Sequence, residues 1–269
     1  PGLIGKANIE ANLKAGESMK PSGDLSVVYP LVQFDRGFLL SQTQINHYYV
    51  NNNDREALNI GLGYRKPSSD LRYFYGINTF YDIDSETNQR ASLGLEFVTA
   101  AFQAYANIYQ RISGQQVVNS QTEQTVSGYD ASANGQVPHL PWLSLSANTY
   151  KWHKINAASS SYGTKLTTII RIAPALTLTL GIDDNNLYST DKFLKYTLSY
   201  PAKNIASLSD GIIASERFNT SQIGKIILQK VTRASNINLE ISKPSETSEE
   251  LEASETSSTN TNVIITRLD

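Results

Sequence analysis

The sequence predicts an all-β fold, a transmembrane antiparallel β-barrel of about twelve strands, followed by a C-terminal segment that carries a short helix. Three observations predict the barrel. Polarity alternates with period two along much of residues 1–200, the signature of strands with two unlike faces. Most alternating segments are about ten residues long, which suits a tilted strand crossing a bilayer core; soluble strands average nearer 5–6 residues. The joins between segments sort into short and longer classes that interleave, as barrel turns and surface loops do.

Ala7, Ile9, Ala11 and Leu13 alternate with Asn8, Glu10, Asn12 and Lys14. Leu58, Ile60, Leu62 and Tyr64 alternate with Asn59, Gly61, Gly63 and Arg65. The pattern returns in Leu176, Leu178, Leu180 and Ile182, and in Leu194, Tyr196, Leu198 and Tyr200. Strands are expected near 5–14, 25–34, 37–50, 56–66, 70–83, 90–99, 102–113, 125–137, 142–153, 162–173, 175–184 and 191–200. The second and third alternate poorly. Short joins are Asp35-Arg36, 67–69, Ala100-Ala101, 138–141 and Pro174; the mostly longer, polar ones are 15–24, 51–55, 84–89, 114–124, 154–161 and 185–190.

The face opposite the apolar one carries Asn78, Glu96, Asn107, Tyr109, Arg111, Asp130, Ser132 and Asn134. These are the expected lumen-facing residues, with a Glu96–Arg111 or Asp130–Arg111 pair among them. A lipocalin-like barrel reverses the two faces. Periodicity does not choose between them; strand length and loop sorting favour polar-inside.

Beyond Pro201 the pattern changes. Residues 221–234 read as a short helix with Ser221 as N-cap and Ile223, Ile226, Ile227 and Lys230 on one side. Asn236–Ile241 alternates, with Ile237, Leu239 and Ile241 on one face. Residues 243–262 form a Ser/Thr/Glu tract with little apolar content, the composition of a linker. Three parts follow: a barrel over 1–201, an appended segment with the short helix over 202–242, and a spacer over 243–269.

Composition narrows the function classes. Net charge is −2, so nothing points to a nucleic-acid partner. Cysteine is absent, which removes disulfides and thiolate metal sites. No run approaches the ~20 apolar residues of a spanning helix. There are 15 tyrosines, read as interface girdles in preference to a sandwich core. The three histidines, His47, His139 and His153, lack metal-ligand spacing. Asp82 and Asp84 are read as lumen or rim residues and not as a catalytic pair. No catalytic or metal site and no cofactor is expected.

Several runs together resemble the barrels of the inverse-autotransporter family of intimin- and invasin-like adhesins. They are Asn59–Arg65 (NIGLGYR), Tyr75–Asp84 (YGINTFYDID), Arg90–Glu96, Ala106–Gly114, and Gly128–Pro138 followed by Pro141. Val231-Thr232-Arg233 and Asn236–Glu240 are similar to the close of that family's pore linker. The likeness runs in order from about residue 7 to 241, with departures at Gln110, Ser132 and Phe97. It implies an outer-membrane anchor and export pore of type Ve secretion for an adhesin or invasin passenger displayed at the cell surface, with roles in adhesion and virulence. The chain after the last strand would then re-enter and thread the lumen as a linker over 202–242, contact the lumen-facing residues named above, and include Ile223, Ile227, Val231, Arg233, Asn236, Ile237, Leu239 and Glu240, with the Asn236–Leu239 run pairing with the wall or with the passenger at the exit. Implied partners are outer-membrane lipid and lipopolysaccharide, the barrel-assembly machinery, periplasmic chaperones, and a host-cell or bacterial surface receptor reached through the passenger. With the sequence ending at Asp269, only the start of a passenger is expected. A diffusion porin or an outer-membrane barrel enzyme is the alternative.

Overall fold

The computed structural model describes residues 6–156, 159–203, 205–219, 223–242 and 264–265. Twelve antiparallel strands close a barrel. The first seven are β1 (Asn8–Gly16), β2 (Ser22–Phe34), β3 (Gly37–Val50), β4 (Asn53–Pro67), β5 (Tyr73–Asp84), β6 (Gln89–Thr99) and β7 (Phe102–Arg111). A hairpin of β8 (Gln115–Val118) and β9 (Gln121–Thr125) leaves the wall here. The wall resumes with β10 (Ser127–Val137), β11 (Leu140–His153), β12 (Ser161–Ala173), β13 (Leu176–Asn185) and β14 (Asp191–Tyr200). Each wall strand pairs with its neighbour along the chain, and β14 closes on β1 with Lys195 opposite Lys14.

Every expected wall strand is present with small shifts at its ends. The weak alternation of 25–34 has a physical cause: the β2–β3 register slips at a bulge between Pro30 and Val32, which moves the apolar residues off parity. β3 and β4 extend until only Asn51 and Asn52 turn the chain, both at positive φ. Asparagine tolerates that backbone region, and a pair of such residues suits a tight hairpin.

The two faces of the wall settle the polarity question. On β4, Leu58, Ile60 and Leu62 are 36%, 51% and 47% exposed, while Asn59 and Arg65 between and beside them are fully buried. Apolar side chains face outward and polar ones face the lumen, the order a lipid-embedded barrel requires. At the end with the short turns, Tyr73, Tyr75, Phe97 and Phe102 form a chain of ring contacts on the wall. At the long-loop end, Tyr49 contacts His47, and Tyr129 contacts His153. The tyrosines are divided, because Tyr48, Tyr105, Tyr109 and Tyr150 are buried and point inward.

Large lumen side chains lie over glycines on the next strand. The Phe80 ring covers Gly61, its register partner across β4 and β5. Gly76 stands between Arg65 and Glu96 in one transverse row, and the Glu96 side chain occupies the space a Cβ there would need.

Past Tyr200 the chain crosses the short-turn mouth. Lys203 N–H donates to Pro174 O, Trp142 Nε1 donates to Ile212 O, and Ile223 N–H donates to Leu71 O. The helix expected over 221–234 is not formed. A 3-10 turn at Ile223–Lys225 is followed by a turn at 226–228 and then by chain without regular structure up to β15 (Leu239–Ser242). Apolar spacing at 223, 226 and 227 suggested a helix, but the wall side chains that claim this segment's backbone groups favour extended chain. Ser221 and most of the 243–269 spacer lie outside the described residues. A two-residue strand, β16 (Ile264–Ile265), pairs with β15.

Replacing Gly61 by valine is expected to force the Phe80 ring from its place at a cost of about 1–3 kcal/mol. Gly63→Ala meets only ordinary contacts, the nearest at 3.6 Å, and should be tolerated. The temperature at which each variant loses its heat-modifiable electrophoretic mobility checks this.

Candidate functional site

The site is the lumen, where the segment from Ile223 to Leu239 runs from the short-turn end to the long-loop end. A chain in this setting has no strand beside it to satisfy its peptide groups, and each buried N–H or C=O needs a partner. Wall side chains supply them. Arg65 binds Glu96 through Nε at 2.7 Å and Nη2 at 3.0 Å, and its Nη1 donates to Ile227 O at 2.5 Å and Gln229 O at 2.8 Å. Gln42 accepts Val231 N–H at 2.9 Å. Asn107 donates to Thr232 O at 3.1 Å and to Asp130 at 2.9 Å. The Tyr109 hydroxyl accepts Ala234 N–H at 2.8 Å and donates to Asp130 at 2.5 Å. Arg90 donates to Ala234 O at 2.8 Å, and Asn59 to Ser235 O at 3.0 Å.

Asp82 is the electrostatic centre of this set. Its carboxylate receives Asn59 at 2.8 Å, Arg90 at 2.9 Å, and Arg233 from the linker itself. Arg233 also lies over the Phe80 ring, 4.4 Å from its centroid. A buried carboxylate held by two guanidinium groups is fully compensated, whereas a buried charge without a partner is costly.

Both ends of the lumen segment are closed by apolar clusters. At the short-turn end, Ile223, Ile226 and Ile227 pack with Phe74, Val98 and Tyr105. At the long-loop end, Ile237, Leu239 and Ile241 pack with Tyr48, Val50 and Ala57. There β15 pairs with β9, so the emerging chain is added to the hairpin and not to the wall. The hairpin is tied to the wall by Arg55, which binds Glu123 at 2.7 Å and Asp84 at 3.0 Å. Glu240 accepts the Ile155 N–H at 2.7 Å and the Asn156 N–H at 3.0 Å from the loop after β11. Burial holds the nearby Lys154 ammonium below its ordinary value, and the Glu240 carboxylate opposes that shift.

The sequence candidates fall into three groups. Asn107 and Tyr109 bond to the linker backbone directly, and Asp130 holds both of them. Glu96 acts at one remove, through Arg65. Asn78 is buried beside Gly94, Ser132 and Asn134 line the remaining lumen space, and no hydrogen bond from their side chains to the linker is found among the described residues. On the linker, Ile223, Ile227, Ile237 and Leu239 are packed, while Val231, Arg233 and Glu240 are bonded as above; Asn236 is buried at the long-loop end. The expected Glu96–Arg111 and Asp130–Arg111 pairs do not form. Arg111 stands opposite Arg90 at one end of β7, whereas Glu96 is opposite Tyr105 and Asp130 opposite Asn107. The separation along the strand is too long for a side chain to span.

Residues missing from the expected set are Gln42, Asn59, Arg65, Asp82, Arg90 and Tyr105. All but Gln42 sit at lumen parity in strands with clear alternation, and Asp82 is already read from the sequence as a lumen or rim residue; Gln42 lies in the poorly alternating 37–50 strand, where parity is no guide.

Comparison with known proteins agrees with the barrel fold. The family model for the inverse autotransporter β-domain matches residues 2–200. A chain solved in work on the mechanism of in-meso crystallization of membrane proteins is 21% identical, with 87% of this chain and 99% of that one covered at a TM-score of 0.73. An outer-membrane channel from Pseudomonas putida F1 is 8% identical over 74% of this chain and 97% of its own, at a TM-score of 0.52. No curated protein matches the sequence. The chain belongs to the inverse autotransporter β-domain family, translocator barrels of the bacterial outer membrane.

Proposed function

We propose that the barrel anchors and exports a C-terminal passenger, and that residues 202–242 form the linker that carries the passenger's start through the pore and then plugs it. The observation that carries this is the set of wall hydrogen bonds to the linker backbone from Ile227 to Ser235. Bonds to main-chain atoms hold an extended segment with little regard to its side chains. A pore whose polar lining accepts one extended polypeptide is suited to passing others. The emerging chain is met by β9, which offers a strand edge to the first residues outside the lumen. Outward movement needs no chemistry from the barrel if the passenger folds outside.

A plain porin leaves its lumen open, whereas here the chain after β14 turns back and fills part of it. A barrel enzyme needs a convergent nucleophile, base and oxyanion donor, and the lumen groups named above are spent on holding the linker. Lipid contact follows from the exposed apolar wall; the barrel-assembly machinery, chaperones, lipopolysaccharide and a receptor remain proposed partners.

Ending the chain after Tyr200 is expected to raise single-channel conductance severalfold over the full chain in planar bilayers. High conductance in both forms favours a porin. A reporter domain fused after Asp269 and supplied with an export signal should become sensitive to protease added outside intact cells; a reporter that stays protected contradicts the export reading. Asp82→Ala leaves Arg90 and Arg233 buried without their carboxylate, at a cost of about 3–5 kcal/mol. It should give frequent transient openings in the same recordings.

A further inference from the structure

The linker does not fill the lumen evenly. From Ile227 to Ser235 its bonds to the wall go to β3 through β7 and to Asp24 on β2. On the opposite side, between the linker and β10–β14 with β1, lies a cavity of about 390 Å³. It extends along the wall from Gln103 and Lys203 toward Trp152, over about six residues of strand, or roughly 20 Å at ~3.3 Å per residue. Its lining is small and polar on the wall side, with Ser146, Asn148, Thr167 and Thr179. Such a surface holds water and does not collapse on the linker.

The charges along this space are unequal. Lys14, Lys165, Lys195, Lys203 and Lys230 line it together with Arg233, against Glu10, Asp24 and Asp130. Two of the three carboxylates are paired with lysines, and the third, Asp130, is bonded by uncharged groups and keeps its negative charge. Glu10 holds Lys203 at 2.9 Å, Asp24 holds Lys230 at 2.8 Å, and Asp130 accepts hydrogen bonds from Asn107 and Tyr109. Asp183 stands behind the lining, 3.7 Å from Lys165. Lys195 makes no side-chain hydrogen bond or ion pair among the described residues. It lies directly opposite Lys14 across the β1–β14 seam, an arrangement of like charges that is unfavourable without water or a counter-ion between them. The Lys14 ammonium sits 4.4 Å from the centroid of the Phe193 ring, which keeps a second positive charge on the same wall.

We infer that the space between the linker and the β10–β14–β1 wall is a water-filled path that admits small inorganic anions, such as chloride, in preference to cations. A narrow space with low-dielectric walls and an excess of one charge concentrates counter-ions and repels co-ions, and rings or rows of lysine select anions in pores. The path runs beside a seated linker, so it conducts with the plug in place. It does not depend on export: the passenger reading can fail while the path remains, and a sealed path leaves that reading untouched.

The test is the reversal potential of the full chain in a planar bilayer across a potassium chloride gradient. One unit charge ~4 Å away in water-like surroundings enriches chloride about fivefold and depletes potassium about fivefold, so chloride is expected to be favoured over potassium by about 25-fold. Lys195→Gln should bring the ratio near unity, while Lys192→Gln, at an exposed lysine outside the lumen, should leave it unchanged. Heat-modifiable mobility confirms that each variant is folded, and the wild-type potential stands without either variant. A silent full-length barrel, a preference for potassium, or an unchanged ratio in folded Lys195→Gln overturns the inference.

Discussion

A polypeptide inside a closed barrel has no strand to pair with, and this constraint shapes the lumen. The wall strands spend their own peptide groups on one another, so only side chains are left to satisfy the linker. Arg65, Arg90, Asn59 and Asn107 donate to its carbonyls; Gln42 and Tyr109 accept from its amides. Long donors are needed because the linker stands off the wall. Guanidinium groups suit that task, since one group bonds a wall carboxylate and a linker carbonyl together, as Arg65 does with Glu96 and Ile227. Glycines follow from the same demand: Gly76 leaves room for the Arg65–Glu96 pair to form across an intervening strand.

Polar bonding in the middle and apolar packing at the ends divide the work of holding the linker. The clusters around Ile223 and around Leu239 pack its two ends against the β3–β7 side of the wall, and the Asp82–Arg90–Arg233 group between them fixes the linker's position. Buried charged groups give less net stability than packed apolar ones but penalise wrong placements heavily. On the proposed export reading, that suits a segment which must stop at one position in the pore. The hairpin of β8 and β9 extends this hold beyond the wall, through Arg55 and Glu123.

Much of this was legible from residue parity. The alternation of Leu58, Ile60 and Leu62 with Asn59, Gly61 and Gly63 fixed both strand and face, once strand length had chosen polar-inside. Asn107, Tyr109 and Asp130 follow from the same reasoning. Three things escaped it. Contacts between strands depend on stagger, so Arg111 was paired with carboxylates that lie too far along the strand. The β8–β9 hairpin was read as loop, although Asn119-Ser120 suits a two-residue turn and both residues have positive φ. The helix expected near 221–234 failed because apolar spacing in so short a segment cannot reveal that the wall will claim its backbone.

Amide hydrogen exchange at Val231 and Ala234 in detergent-solubilised full-length protein tests the central claim most directly. Their N–H groups should exchange as slowly as those of the wall strands, because Gln42 and Tyr109 hold them inside the barrel. Exchange at the rate of an unstructured peptide would contradict a linker bonded to the wall.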